Sequence, residues 1–389
     1  MHDHAHHSIK EQKEPLVRIV KRPTIPAQKA WAIRGIAFLS ALLVGALVIM
    51  ALGHQPLAVY AEMIKGALAT NTSRIETIKI AIPLLISSLS VAISFKMHFW
   101  NIGTEGQILA GGIAASYFAL FWHDSLPSAL LLLVMCFAAC IAGAVWGALP
   151  ALFKAKWNTN ETLFTLMLNY VALGIIKYLQ AGPWIKQSGT GFPKIDMFEQ
   201  VARLPKLFGI HIGWIIAIVL VILVYIYMTR SKYGYETFVV GQSYNTARYS
   251  GMNVGKILVR TMIIAGAMAG MVGFIQVSGA NYTLNESTAG GVGFTAITVA
   301  WLSQLHPFVM VVVSIFFAIL EKGAGRIKTT FNIPDSAADV LIGIILFFML
   351  GCEFFINYRL VWRKRNDDTP ADTAAPATPS DMQEVSANG

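Results

Sequence analysis

Ten apolar stretches of helical length alternate with short polar joints along most of this 389-residue chain. They cover residues 33–52, 78–95, 106–122, 127–149, 161–179, 212–228, 258–277, 292–304, 307–320 and 337–356. A hydrocarbon core about 30 Å thick takes roughly 20 apolar residues per helix, and lipid-exposed backbone needs its hydrogen bonds satisfied within helices or closed barrels. The pattern therefore predicts an all-α polytopic membrane protein of eight to ten helices, and it disfavours a β-barrel. The eighth and ninth stretches are short and separated only by Leu305 and His306. They read either as one broken hairpin that does not cross fully or as two helices that add no net crossing, and in both cases the two termini stay on one side.

One joint differs from the rest. Residues 231–257 form a polar insert whose core runs Gly241-Gln242-Ser243-Tyr244-Asn245-Thr246-Ala247-Arg248-Tyr249-Ser250-Gly251-Met252-Asn253. Outside the span-rich region, residues 33–357, the chain has a polar N-terminal arm, 1–32, expected to be partly disordered. The tail, 358–389, is rich in Asp, Thr, Pro, Ala and Ser, which cannot bury enough apolar surface to offset ordering entropy. His2, His4, His6 and His7 read as part of a solvated arm, since no acid or cysteine fixes a metal geometry around them.

Orientation follows from Lys and Arg, which are retained on the cytoplasmic side. With both termini inside, the strongest basic clusters face the cytoplasm: the arm from Lys10 to Arg34, Lys154 with Lys156, the insert with Arg230, Lys232, Arg248, Lys256 and Arg260, and the tail with Arg359, Arg363, Lys364 and Arg365. A minority falls outside, most of it in residues 182–211 and 322–328.

Composition agrees with the bilayer as solvent. Hydrophobic residues make up 55% and charged residues 13%, against about 25% charged in ordinary globular domains. The net charge of +9 is split among loops, with no groove or zinc-ligand spacing, so it reports topology and not nucleic-acid binding. Cys136, Cys140 and Cys352 lie in apolar segments and read as small hydrophobes.

Polar residues within or beside spans are costly in lipid and mark candidate functional positions. The first group is Phe99-Trp100-Asn101-Ile102-Gly103-Thr104-Glu105-Gly106-Gln107, placed near the cytoplasmic face. An interrupted helix there would offer free amides and carbonyls to a polar solute; a surface turn whose acid caps the next helix is the alternative. In the second group Asn160 and Glu161 suit a helix start, while Asn169 lies inside an apolar helix and reads equally as a packing or a pathway residue. The third is Gly290-Gly291-Val292-Gly293-Phe294, read as an extracellular gate with Phe294 available to stack on a flat ligand. Gly266, Gly270 and Gly273 read as close helix packing. The acids Glu105, Glu161, Glu321 and Glu353 all fall at or near expected span ends, which disfavours an ion-coupled secondary transporter. A phosphate-binding loop is absent: Gly251-Met252-Asn253-Val254-Gly255-Lys256-Ile257 is one residue short and ends in Ile.

In this order and at these spacings, residues 101–107, Asn160-Glu161 with 166–170, the insert 241–253 and Gly293-Phe294-Thr295 resemble the permease subunits of ATP-binding-cassette importers for simple sugars and nucleosides, closest to the nucleoside and guanosine branch. The resemblance implies a non-enzymatic transport subunit of the bacterial inner membrane. Its expected partners are a cytoplasmic ATPase that binds the ATP, a second homologous permease in a heterodimer, an extracytoplasmic solute-binding protein and membrane lipid, with no nucleic acid and no cofactor of its own. Residues 245–253 would be the coupling helix, with Gly241, Asn245, Ala247, Arg248, Tyr249, Gly251 and Asn253 at the ATPase: Ala247 and Gly251 small enough to seat in its cleft, Arg248 and Tyr249 as anchors. Phe99, Trp100, Asn101, Glu105, Gln107, Asn169 and Phe294 would line the pathway. Few charges accompany them, so a neutral solute is expected, a nucleoside first and a pentose or hexose as the alternative.

Overall fold

The computed structural model describes residues 17–21, 26–185 and 193–362. Strand β1 (Val17–Lys21) precedes α1 (Ala27–Ala51), α2 (Pro56–Leu68), α3 (Asn71–Lys96), α4 (Thr104–Phe121), α5 (Ser128–Trp157) and α6 (Glu161–Ala181). A small hairpin, β2 (Lys206–Leu207) with β3 (Ile210–His211), leads into α7 (Gly213–Arg230), then α8 (Lys232–Gln242), α9 (Tyr244–Tyr249) and α10 (Val254–Ile275), which runs on as a π-helical turn, Gln276–Asn281. The chain closes with α11 (Val292–Leu302), α12 (Pro307–Phe331), α13 (Asp335–Asn357) and strand β4 (Tyr358–Trp362).

Among the described residues, eight helices are long and apolar enough to cross a membrane: α1, α3, α5, α6, α7, α10, α12 and α13. The other two expected crossings differ for physical reasons. Helix α4 has 18 residues but begins with Thr104, Glu105 and Gln107, which lower its hydropathy. Helix α11 has 11 residues, a rise of about 16 Å, and cannot span the core alone. The ninth stretch runs through to Phe331 rather than ending at 320, so α12 is long and apolar enough to cross by itself, and α11 with α12 is not a short broken hairpin.

Helices α3 and α10 are the buried centre, and the remaining spans wrap around them. Helix α3 carries Ser87, Ser88, Ser90 and Ser94 at full burial, and the Ser90 hydroxyl donates to the Ala265 carbonyl of α10 at 2.7 Å. Interhelical hydrogen bonds and small residues are what hold helices together where lipid removes the hydrophobic drive. The small residues are Gly266, Gly270 and Gly273 of α10. A Cβ on Gly270 would stand 2.1 Å from the Ala139 carbonyl oxygen, one on Gly273 2.1 Å from that of Ile108, and one on Gly266 2.3 Å from that of Gly143. Helices α10, α5 and α4 thus meet backbone on backbone, as the glycine spacing predicts.

Strands β1 and β4 pair antiparallel, from Val17 opposite Trp362 to Lys21 opposite Tyr358. This places the start of α1 and the end of α13 on one side. It also corrects the reading of 358–389 as disordered throughout, because a complementary strand satisfies the backbone of Tyr358–Trp362. The remainder of both tails, including the histidine-rich start, lies outside the described residues.

At the opposite end, His211 is 1% exposed, with Gly213 and Gly279 against its ring. Burial first, then the charges of Lys79 and Lys206, hold its pKa down to about 4, against about 6.5 for a free histidine. The native state keeps His211 neutral where the unfolded chain is protonated, so its contribution is intact above about pH 6.5 and is lost as pH falls toward 4. Amide exchange around residues 210–213 and 278–281, corrected for intrinsic rate, is expected to be faster at pH 5 than at pH 7. Equal protection at both values would show that this histidine does not govern the region.

Candidate functional site

The chain between α3 and α4 is a tightly tied re-entrant turn. His98 adopts a left-handed φ of 55°, and its Nδ1 meets the Gly241 carbonyl oxygen of α8. Phe99 is fully buried and Trp100 is half-exposed. The Asn101 Oδ1 accepts from the Gly103 amide at 3.0 Å, and the Asn101 and Gln107 side-chain amides bond each other at 3.3 and 3.4 Å. Helix α6 clamps the turn from the side: the Asn169 Oδ1 accepts from the Gly106 amide at 2.8 Å, its Nδ2 donates to the Ile102 carbonyl at 3.0 Å, and the Thr165 hydroxyl oxygen accepts from the Ile102 amide at 3.2 Å. The first amides of a helix have no intrahelical partner, and here a neighbouring helix supplies one at the start of α4. Asn101, Gln107 and Asn169 are buried and engaged with their own chain, so of the two uses weighed for Asn169, packing matches its contacts. Asn160 caps α6 as expected, accepting from the amides of Thr162 and Leu163 at 3.0 and 3.2 Å.

Glu105 joins two groups that the sequence reading placed on opposite faces. Its carboxylate oxygens accept from the Gly291 and Gly293 amides, each at 2.8 Å. These amides open α11, where the positive end of the helix favours an anion. Gly291 holds a left-handed φ of 78° and Gly293 has no room for a Cβ, which would sit 2.4 Å from the Glu105 amide nitrogen. The glycine run is therefore a clasp on α4, with two of its amides engaged by Glu105. Its partner Glu105 precedes Gln107, which packs beside Gly147 of α5 in the bundle interior. Glu321 also departs from expectation: it lies in the body of α12 because that helix is longer than read, and with Asp339 it lines a cavity of about 290 Å³.

An aromatic wall flanks the clasp. Phe294 and Trp301 are 44% and 38% exposed and stand seven residues apart on α11, a spacing that puts them on one helix face. Trp301 contacts Trp100 with ring centroids 5.7 Å apart and a 30° interplanar angle, and Phe95 completes the cluster at 5.3 and 5.7 Å from the two. Trp301 and Thr165 escaped the sequence reading. The seven-residue step from Phe294 would have revealed Trp301, whereas nothing local marks Thr165.

The polar insert holds two helices, and the one expected over 245–253 is shorter, since α9 ends at Tyr249. Ser243 ends α8 and caps α9, accepting from the Thr246 amide at 3.2 Å. Asn245, Arg248 and Tyr249 are exposed, Tyr249 at 92%. Ala247 is not: it is fully buried in a cluster with Met97, Phe99, Val240, Ile257 and Met262. Its small side chain serves close seating on its own chain rather than in an ATPase cleft. Gly241 likewise abuts α3, with its Cβ position 2.3 Å from the Lys96 carbonyl oxygen. Gly251 is exposed, at a left-handed φ of 77° with nothing within 4 Å of its Cβ position, so it ends α9 by conformation, and Asn253 starts α10 by accepting from the Lys256 amide at 3.0 Å.

Residues 73–350 match a family model described as the branched-chain amino acid transport system / permease component. The chain is 33% identical to the glucose ABC transporter permease protein TsgB13 of Haloferax volcanii over 90% of this chain and 96% of that one. It is 29% identical to the nucleoside ABC transporter permease protein NupB of Lactococcus lactis (84% and 92% covered) and 28% identical to the guanosine ABC transporter permease protein NupP of Bacillus subtilis (81% and 91% covered). With its eight long apolar helices, the chain belongs to the permease-component family of these transport systems, as a multi-pass membrane transport subunit that is not itself an enzyme.

Proposed function

We propose that this permease forms the translocation pathway of an ATP-driven importer for a neutral polar solute with a flat face, a nucleoside above all, and that a partner ATPase works it through α9. The exposed wall of Phe294, Trp301 and Trp100 carries the substrate reading, because π-faces stack on nucleobases without demanding charge. A simple sugar is the second reading: aromatic faces also pack on sugar rings, and the glucose permease of Haloferax volcanii is 33% identical. Two of the three relatives above are named for nucleosides or guanosine. Uptake of labelled uridine, competed with ribose or glucose in cells lacking other carriers, separates the readings. Competition by the sugars and not by unlabelled uridine would overturn the nucleoside assignment.

The mechanical path is a row of contacts within this chain. Force on α9 reaches Phe99 through the cluster around Ala247, Phe99 leads into the clamped turn, and Glu105 at the end of that turn holds the start of α11, whose far end bears Trp301. An ATPase bound at Asn245, Arg248 and Tyr249 would thus tilt or release the aromatic wall. A solute-binding protein outside and a second permease completing the pathway fit the same scheme; distinct permeases named NupP and NupQ both occur in Bacillus subtilis. Tyr249→Ala removes a side chain that is almost wholly exposed, so it is expected to leave folding unchanged and to lower ATP-driven uptake at least tenfold, read against the amount of permease in the membrane. Unaltered uptake would remove α9 as the ATPase contact.

A further inference from the structure

Beneath the β2–β3 hairpin, between α3, α7 and α12, lies a cleft of about 370 Å³. Its lining is almost wholly carbon, with Ile78, Leu85, Phe208 and Ile218 among its walls. Phe208 is 82% exposed at the hairpin tip, and the hairpin is held down at Gly209, which sits against Ile75 of α3. Two residues that line the cleft, Ser314 and Trp214, each bury a donor, the hydroxyl and the indole N–H, that makes no hydrogen bond among the described residues. Ser314 has no solvent exposure. A serine inside a helix commonly returns its proton to a carbonyl three or four residues back, as Ser116 does to Gly112 at 2.6 Å, but Ser314 does not. Buried donors left unpaired are costly, and carbon walls are poor company for water. These donors therefore call for an acceptor carried by a molecule with an apolar body.

The rim adds charge. Lys79 follows the wall residue Ile78 on α3, Lys206 stands on the hairpin with its Nζ 5.7 Å from the centre of the Tyr282 ring, and the charges of both act on His211. Neither lysine has a carboxylate within 4.0 Å among the described residues. In a membrane-embedded chain, the molecule combining a hydrocarbon body, ester carbonyls and a negative head is an anionic phospholipid.

We propose that this cleft binds one anionic phospholipid from the leaflet opposite the α9 face, its acyl chain lodged between α3, α7 and α12, its ester carbonyls supplying acceptors to Ser314 and Trp214, and its phosphate facing Lys79 and Lys206. Juxtamembrane cations each favour an acidic lipid by about 1 kcal/mol, and two of them correspond to a preference on the order of tenfold or more over a zwitterionic lipid. The test uses the full-length permease in vesicles of phosphatidylcholine or phosphatidylglycerol brominated on the acyl chain, with Trp214 quenching taken as the difference between the parent and Trp214→Phe. Phosphatidylglycerol is expected to quench at roughly tenfold lower mole fraction than phosphatidylcholine. Lys79→Ala with Lys206→Ala should bring the two lipids together, and Ile218→Phe, which narrows the cleft from its exposed side, should weaken both. Equal quenching by the two lipids in the parent means ordinary bulk lipid contact and overturns the proposal. Absence of quenching by either means a cleft closed or covered by protein, and overturns it equally.

Discussion

Glu105→Ala is expected to abolish ATP-driven uptake while the permease still reaches the membrane. The carboxylate of Glu105 is the partner of two amides at the start of α11, each at 2.8 Å. Removing it leaves both without an acceptor in the bundle interior, at about 1–3 kcal/mol apiece. The substitution also opens a gap where α4 and α11 touch, so movement of the re-entrant turn no longer reaches the aromatic wall. Glu105→Gln is the sharper variant. Its carbonyl oxygen still accepts from one amide, but its NH2 group confronts the other, and loss of one such bond amounts to roughly tenfold in rate if the closed clasp is needed in each cycle. Initial uptake per permease molecule, together with a melting curve of the purified protein, separates loss of coupling from loss of fold. Uptake by Glu105→Ala at the parent rate would show that the clasp is not in the working path.

The largest structural effect is expected at Gly270. A leucine there needs a Cβ where the Ala139 carbonyl oxygen is only 2.1 Å away and the Gly143 Cα 3.0 Å away. Both are backbone, so no side chain can swing aside, and α10 has to leave α5. Overpacking a core ordinarily costs about 1–3 kcal/mol, and this site lies at or beyond the upper end because a helix pair has to separate. Gly270→Leu is therefore expected to leave no folded permease in the membrane. Gly174 of α6 is the matched control, since nothing lies within 4 Å of its Cβ position; Gly174→Leu should accumulate normally. Normal accumulation of Gly270→Leu would contradict the backbone-on-backbone contact of α10 with α5.

The fold class and the glycine seam of α10 were legible because both follow from local rules: helical length in apolar residues, and small residues at three- and four-residue spacing. The cap at Asn160 was legible for the same reason. The Glu105 clasp was not. Its partners are 186 and 188 residues away, and a glycine run reads as flexible until the acid that pins it is known. Hydropathy also under-read α12, because Glu321, Lys322, Arg326 and Lys328 end the apolar stretch without ending the helix, and several find partners: Lys322 pairs with Glu76 of α3, Arg326 with Glu62 of α2 at 3.3 Å, and Lys328 with Asp339 of α13 at 3.2 Å. The insert stands out in sequence as a long polar joint, but which of its residues face outward does not. Smallness at Ala247 and smallness at Gly251 look alike in sequence, yet one is dictated by burial and the other by a left-handed backbone.

As proposed, this chain is a gate that another protein moves at α9. Vesicles containing the permease and the proposed companion permease, with and without the ATPase, the binding protein and internal ATP, should accumulate labelled uridine above the outside concentration only when all components are present, and Tyr249→Ala should slow that accumulation at least tenfold. Accumulation against the gradient by the permeases alone would contradict the claim outright.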